Sequence, residues 1–126
     1  MPLVRISLMK GKPERFGEKV GDAVYRTMME TINVPVKDNF QIITEHDNDG
    51  LIYDPNYLDI QRTDGIIFIQ ITLNEGRTVE LKKTFYKALA KRLNKELGVR
   101  MEDVFISLVE VEKENWSFGN GIAQYA

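Results

Sequence analysis

Ile6-Ser7-Leu8-Met9-Lys10-Gly11-Lys12 returns sixty-five residues later as Ile71-Thr72-Leu73-Asn74-Glu75-Gly76-Arg77. The same offset, carried on without a gap, sets Val20, Ala23, Val24, Met28 and Ile32 against Phe85, Ala88, Leu89, Leu93 and Leu97. It then sets Val34, Asp38 and Phe40 against Val99, Asp103 and Phe105. Few of these pairs are identities, and the spacing carries the argument. Apolar positions in the middle of each copy recur with a helical period, and those at its ends alternate as strands do. Each copy reads strand, turn at glycine, helix, short connection, strand. Two copies are too few for a solenoid, which needs at least about three to bury its faces. They predict an α+β fold in which two βαβ units, about 2–45 and 66–111, form a four-stranded sheet with both helices on one face. The crossovers should be right-handed, as nearly all such connections are.

Local signals agree with this outline. Pro13 suits the opening turn of the first helix, and Asn33 followed by Pro35 supplies its stop. Thr78 can cap the second helix and Gly98 can close it. Ile66-Ile67-Phe68-Ile69 is apolar without a break, which predicts a central strand covered on both faces. Lys82, Lys83, Lys87, Lys91 and Lys95 read as the solvated side of the second helix, and Lys12 as a solvent-facing residue. Between the units, Asp47-Asn48-Asp49-Gly50 and Asp54-Pro55-Asn56 mark turns in a polar connector, and His46 reads as a surface or loop residue. After the second unit, Trp116, Phe118 and Tyr125 among glycines predict a hairpin or extended arm laid on another surface. A sheet with helices on one side only leaves its other face to be covered by oligomerisation.

The totals narrow the function. A chain of 126 residues reads as one domain, 1–126, with a net charge of −2 that does not recruit nucleic acid or an anionic membrane. There is no cysteine, hence no thiolate chemistry or disulfide, which suits a cytoplasmic protein. No apolar run approaches the length of a membrane span or a signal peptide, and no P-loop, HExxH or GxGxxG is present. No metal or cofactor is expected.

Four features could carry chemistry. Loss of Met1, which a small second residue permits, leaves Pro2 as a secondary amine at the head of the first strand. A terminal amine ordinarily titrates at about 7.7–8.0, so a modest environmental push brings it to working pH. Arg77 follows a glycine and precedes a helix start, where its guanidinium can form a fork for a carboxylate. Asp38 opens the strand that closes the first unit, although its repeat at Asp103 allows a plain turn-shaping role for either. Trp116 and Phe118 offer an apolar wall.

Pro2, the doubled βαβ, Asp38, Gly76-Arg77-Thr78 and Asn115-Trp116-Ser117-Phe118-Gly119 together resemble the tautomerase superfamily, nearest to its branch containing malonate semialdehyde decarboxylase. The likeness runs over nearly the whole chain. It implies a homotrimer that works without a cofactor, with Pro2 as catalytic amine, Asp38 as catalytic aspartate and Arg77 as substrate-binding arginine. It further implies that Trp116 and Phe118 form a hydrophobic wall. One position departs from the branch: Glu75 stands where the decarboxylase carries a second arginine. The leading expectation is therefore keto–enol tautomerisation of a small 2-oxo acid, a small-molecule carboxylate, by neutral Pro2. The alternative is decarboxylation or hydration of a 3-oxo acid by protonated Pro2, and a further one is a trimeric scaffold without chemistry. An apolar wall and Arg77 would lower the amine's pKa, whereas Asp38 and Glu75 would raise it.

Overall fold

The computed structural model describes residues 2–126. Strand β1 (Leu3–Met9), helix α1 (Phe16–Thr31) and strand β2 (Phe40–His46) form the first βαβ unit. Strand β3 (Ile67–Asn74), helix α2 (Val79–Leu97) and strand β4 (Val104–Val111) form the second. The four strands make one sheet in the order β2-β1-β3-β4. Pairing is parallel within each unit and antiparallel where β1 meets β3. At that junction Leu3 faces Thr72, and their repeat mates Phe68 and Ser7 face each other. The two units are thus related by an approximate two-fold axis through the middle of the sheet.

Alternation decides which residues meet the helices. Val4, Ile6 and Leu8 of β1 and Ile67, Ile69, Ile71 and Leu73 of β3 are buried against Val20, Val24 and Met28 of α1 and Phe85, Leu89 and Leu93 of α2. Gly21 allows α1 to lie close to β2, because a Cβ there would fall 2.1 Å from Gln41 Oε1. The Gln41 amide uses that approach to donate to the Gly21 carbonyl at 2.7 Å. Across the helix pair, Arg26 forks onto Glu96, and Arg92 Nη2 donates to both carboxylate oxygens of Glu30.

The helix ends follow the sequence with one shift. Thr78 Oγ1 accepts from the Leu81 N–H at 3.2 Å, and Gly98, at φ 67, turns α2 off while donating to the Asn94 carbonyl. Replacing Thr78 by alanine should cost about 1 kcal/mol in chemical denaturation, the usual worth of such a cap. Helix α1 begins at Phe16 and not at Pro13. Arg15 sits at φ 62, outside helical space, and the Pro13 carbonyl accepts the Phe16 N–H in a separate turn. Asn33, also at φ 62, ends the first helical segment.

Other expectations are corrected by packing. Lys82 is not a free solvated lysine, since its ammonium pairs with Glu110 at 2.5 Å. Lys12 folds its ammonium over the Phe16 ring, 5.5 Å from the centroid. His46 is the last residue of β2 and half-buried, not a loop residue. Ile67 and Ile69 are covered on the helix face, and on the open face Ile66 is fully buried while Phe68 is only partly covered. On the open face Phe68 joins a small cluster of Met9, Leu51, Ile66 and Tyr53, built by the connector over one end of the sheet.

That connector is tied down by its own polar groups. Asp54 Oδ1 accepts the Asn56 N–H, the Tyr53 hydroxyl donates to Asp64, and Arg62 donates to the carbonyls of Asp54, Tyr57 and Ile60. Buried Asp103 accepts from both the main-chain N–H and the hydroxyl of Thr63. Elsewhere the open face keeps Phe40, Ile42, Phe105 and Val109 exposed. The chain after β4 forms an arm and not a hairpin. Trp116 and Phe118 stack at 5.3 Å, and Tyr125 meets Phe118 edge-on at 5.1 Å. Among the described residues no helix is long and apolar enough to cross a membrane.

Candidate functional site

The topology gathers one end of each element. The start of β1, the start of β2, the end of β3 and the end of α1 all lie at the same edge of the molecule, as the register of β1 with β2 and β3 requires. Pro2 is buried there, one residue before β1. With Leu3, Phe40, Trp116, Ser117 and Phe118 it lines a cavity of about 230 Å³. Three of the five residues singled out by sequence therefore share one cavity. The expected loss of Met1 concerns a residue outside those described.

Arg77 and Asp38 occupy the same edge. The Arg77 guanidinium is fixed by two main-chain carbonyls, with Nε donating to Ile32 at 2.9 Å and Nη1 to Asn74 at 3.1 Å. Burial pulls Arg77 below its ordinary pKa, while the carboxylates of Glu110 and Asp38 act against that pull. The guanidinium stays charged, as arginine does in proteins. Asp38 is only 5% exposed. The turn that delivers it is held by Tyr25, whose hydroxyl accepts the Lys37 N–H at 2.8 Å while Lys37 stands at φ 67.

The repeat makes the asymmetry of the two sheet ends informative. Asp38 and Asp103 are mates at the same point of their units; Asp103 accepts from Thr63, whereas Asp38 acts on the charge of Arg77. Arg77 and Lys12 are also mates, yet Lys12 covers Phe16. Pro2 corresponds to Ile67, an ordinary core residue of β3. One end of the pseudo-two-fold is closed by the connector, and the other keeps Pro2 in the wall of a hollow, with Arg77 and Asp38 at the same edge but outside that wall.

Trp116 is placed by a residue that sequence reading passed over. Its indole N–H donates to Asn74 Oδ1 at 2.7 Å. Asn74 ends β3, and alternation sets it on the open face, opposite to Leu73. The available signal was this position, three residues before Arg77. Tyr25 and Phe40 were missed as well, since neither carries a motif. Gln124 completes the arm, accepting the Phe118 N–H at 2.9 Å and donating to the Gly119 carbonyl at 3.0 Å.

A second hollow of about 260 Å³ lies between the connector and the sheet, lined by Ile52, Tyr53, Tyr57, Phe68 and Phe105. Of its polar side chains, Tyr53, Asp54 and Arg62 are engaged within the connector itself. None of the candidate residues borders it. Among the described residues, no group of three His, Cys, Asp or Glu side chains could hold a metal ion.

Comparison with known proteins agrees with this arrangement. A family model described as "Tautomerase enzyme" matches residues 38–119. The Bacillus subtilis (strain 168) protein named "Probable tautomerase YusQ" is 47% identical over 124 residues, covering 98% of each chain. A second protein of that organism, "Probable tautomerase YrdN", is 34% identical over 125 residues, covering 99% of this chain and 96% of its own. Among solved structures, FG41 malonate semialdehyde decarboxylase inhibited by 3-bromopropiolate superimposes with a TM-score of 0.90 at 35% identity, over 98% of this chain and 93% of its own. A fused 4-OT symmetric trimer shares the fold, with a TM-score of 0.79 at 22% identity over 98% of this chain and 97% of that one. With a family model over most of the chain and relatives matching end to end, the chain belongs to the tautomerase family and is an enzyme of the isomerase class.

Proposed function

We propose that this enzyme interconverts the keto and enol forms of a small 2-oxo acid, with the Pro2 amine, freed by loss of Met1, as general base. The observation that carries the reading is the shared cavity of Pro2, Trp116 and Phe118, at the edge where Arg77 and Asp38 interact. Arg77 binds the substrate carboxylate with the donors its two carbonyl contacts leave over. Pro2 nitrogen takes a proton from the carbon beside the ketone. The C–H electron pair becomes the C=C bond, and the proton is returned to the enolate oxygen. Trp116 and Phe118 exclude water from the amine, and Asp38 offsets the desolvation of Arg77. The cavity lies below the roughly 300–1,000 Å³ usual for drug-sized ligands, which favours a small acid.

The second reading is decarboxylation or hydration of a 3-oxo acid. It is favoured by the 35% identity to malonate semialdehyde decarboxylase over 98% of the chain and by the buried carboxylate of Asp38. Here Pro2 works protonated. The exposed rings of Phe40 and Phe105 on the open sheet face support assembly as a homotrimer, and the absence of cysteine suits the cytoplasm.

A pH–rate profile with phenylpyruvate, run on protein whose intact mass shows Pro2 as the first residue, separates these mechanisms. If Pro2 is the base, kcat/KM falls on the acid side of the amine pKa. A fall on the alkaline side instead makes Pro2 an acid and supports the second reading. Full activity in material that retains Met1 excludes proline chemistry altogether, because the nitrogen is then an amide.

A further inference from the structure

We propose that Asn74 is a positioning residue that holds the aromatic wall of the Pro2 cavity and the neighbouring Arg77 in common register. Its side chain and its main chain face two different partners. Oδ1 accepts the Trp116 indole N–H at 2.7 Å, and its own carbonyl accepts Arg77 Nη1 at 3.1 Å. An indole N–H can only donate, so the amide oxygen, not its nitrogen, must face Trp116. The next residue is anchored as well, since the Glu75 N–H donates to the Val111 carbonyl at 2.9 Å. Asn74 is therefore held at the end of β3 in register with Val111.

The arm needs such an anchor. It has no strand pairing of its own, and residues after Val111 are half-buried or exposed. The stacked rings of Trp116 and Phe118 and the Gln124 clasp order the arm internally, but neither ties it to the sheet. The contact from Trp116 to Asn74 spans 42 residues and joins arm to sheet beside the cavity. With it, any displacement of the β3 end carries wall and cation together. Without it, the wall is free to drift from Pro2 while Arg77 stays in place.

The role rests on the reading of this cavity as the reaction site, and the test separates the two. Trp116 is the sole tryptophan, so its emission reports the hydrogen bond directly. Asn74→Leu removes the acceptor and keeps the approximate size; Asn74→Asp keeps an acceptor oxygen. In the intact protein, Asn74→Leu should shift the indole emission and raise its quenching by acrylamide, and Asn74→Asp should leave both near wild type. With phenylpyruvate, Asn74→Leu should raise KM about fivefold with kcat little changed, because a wall binds ground state and transition state alike. On a Trp116→Phe background, which keeps an apolar wall and lacks the donor, Asn74→Leu should cost nothing further. Unchanged emission in Asn74→Leu overturns the proposal, as does an equal KM penalty on both backgrounds, which marks a merely structural residue. If the wild type turns over no 2-oxo acid, the tautomerase reading fails, and the emission and acrylamide measurements still decide whether Asn74 places Trp116.

Discussion

Pro2→Ala is expected to lower kcat/KM towards phenylpyruvate by about 10²–10⁴, the usual worth of a positioned general base. Alanine in the same place still offers a terminal amine once Met1 is gone, so the loss measures more than the presence of nitrogen. It measures the ring, which ties the nitrogen back to its own side chain as a secondary amine and so stops it from rotating about the N–Cα bond. Pro2 is buried at the head of β1, whose Val4, Ile6 and Leu8 lie in the core, so the strand itself supplies a rigid base for that nitrogen. A primary amine on a flexible residue keeps basicity and loses aim. Circular dichroism and thermal melting should be nearly unchanged, since the ring lines a cavity and fills no core position. Wild-type rates in Pro2→Ala would remove the proline from the mechanism.

Arg77→Ala should rank second, with kcat/KM falling by about 10²-fold, as expected when a carboxylate loses a charge-assisted fork. Stability should fall as well. Arg77 closes the carbonyls of Ile32, where α1 ends, and of Asn74, where β3 ends. Truncation leaves both to water or to nothing, at about 1–3 kcal/mol for each acceptor that stays buried. Arg77→Lys separates the two effects. Lysine restores the positive charge but cannot span both carbonyls and a substrate carboxylate, since it is a point charge without the planar fork. It should therefore recover part of the binding and little of the stability. Kinetics and urea denaturation on the same preparations check both. A fall in stability with no change in KM or kcat would make Arg77 a helix-to-strand tie and not a substrate residue.

Much of the fold was legible because its signals are local. The Thr78 cap and the Gly98 stop need only a few neighbouring residues to be recognised, and the structure keeps both. The start of α1 was misplaced because Pro13 suits a helix opening by its fixed φ, while the left-handed Arg15 carries no sequence mark. The Ile66–Ile69 run says that a strand is apolar on both sides; it does not say that one side is roofed by a connector and the rest left open.

The chain by itself determined two βαβ units, their helices, and the placing of Pro2, Asp38 and Arg77 at element ends, because periodicity and end signals are written residue by residue. Tertiary structure alone decided that the units join antiparallel through β1 and β3, a matter of which strand edges meet. It also decided which sheet end stays open. Sequence treats Asp38 and Asp103 as equals, and only the tertiary structure sets Asp103 against Thr63 and Asp38 within reach of the charge on Arg77. Asn74 belongs to the same class: its partner lies 42 residues away, so no local pattern could mark it. Local chemistry sets which element forms, whereas long-range closure sets which of two equivalent ends is roofed and which keeps a hollow beside Pro2.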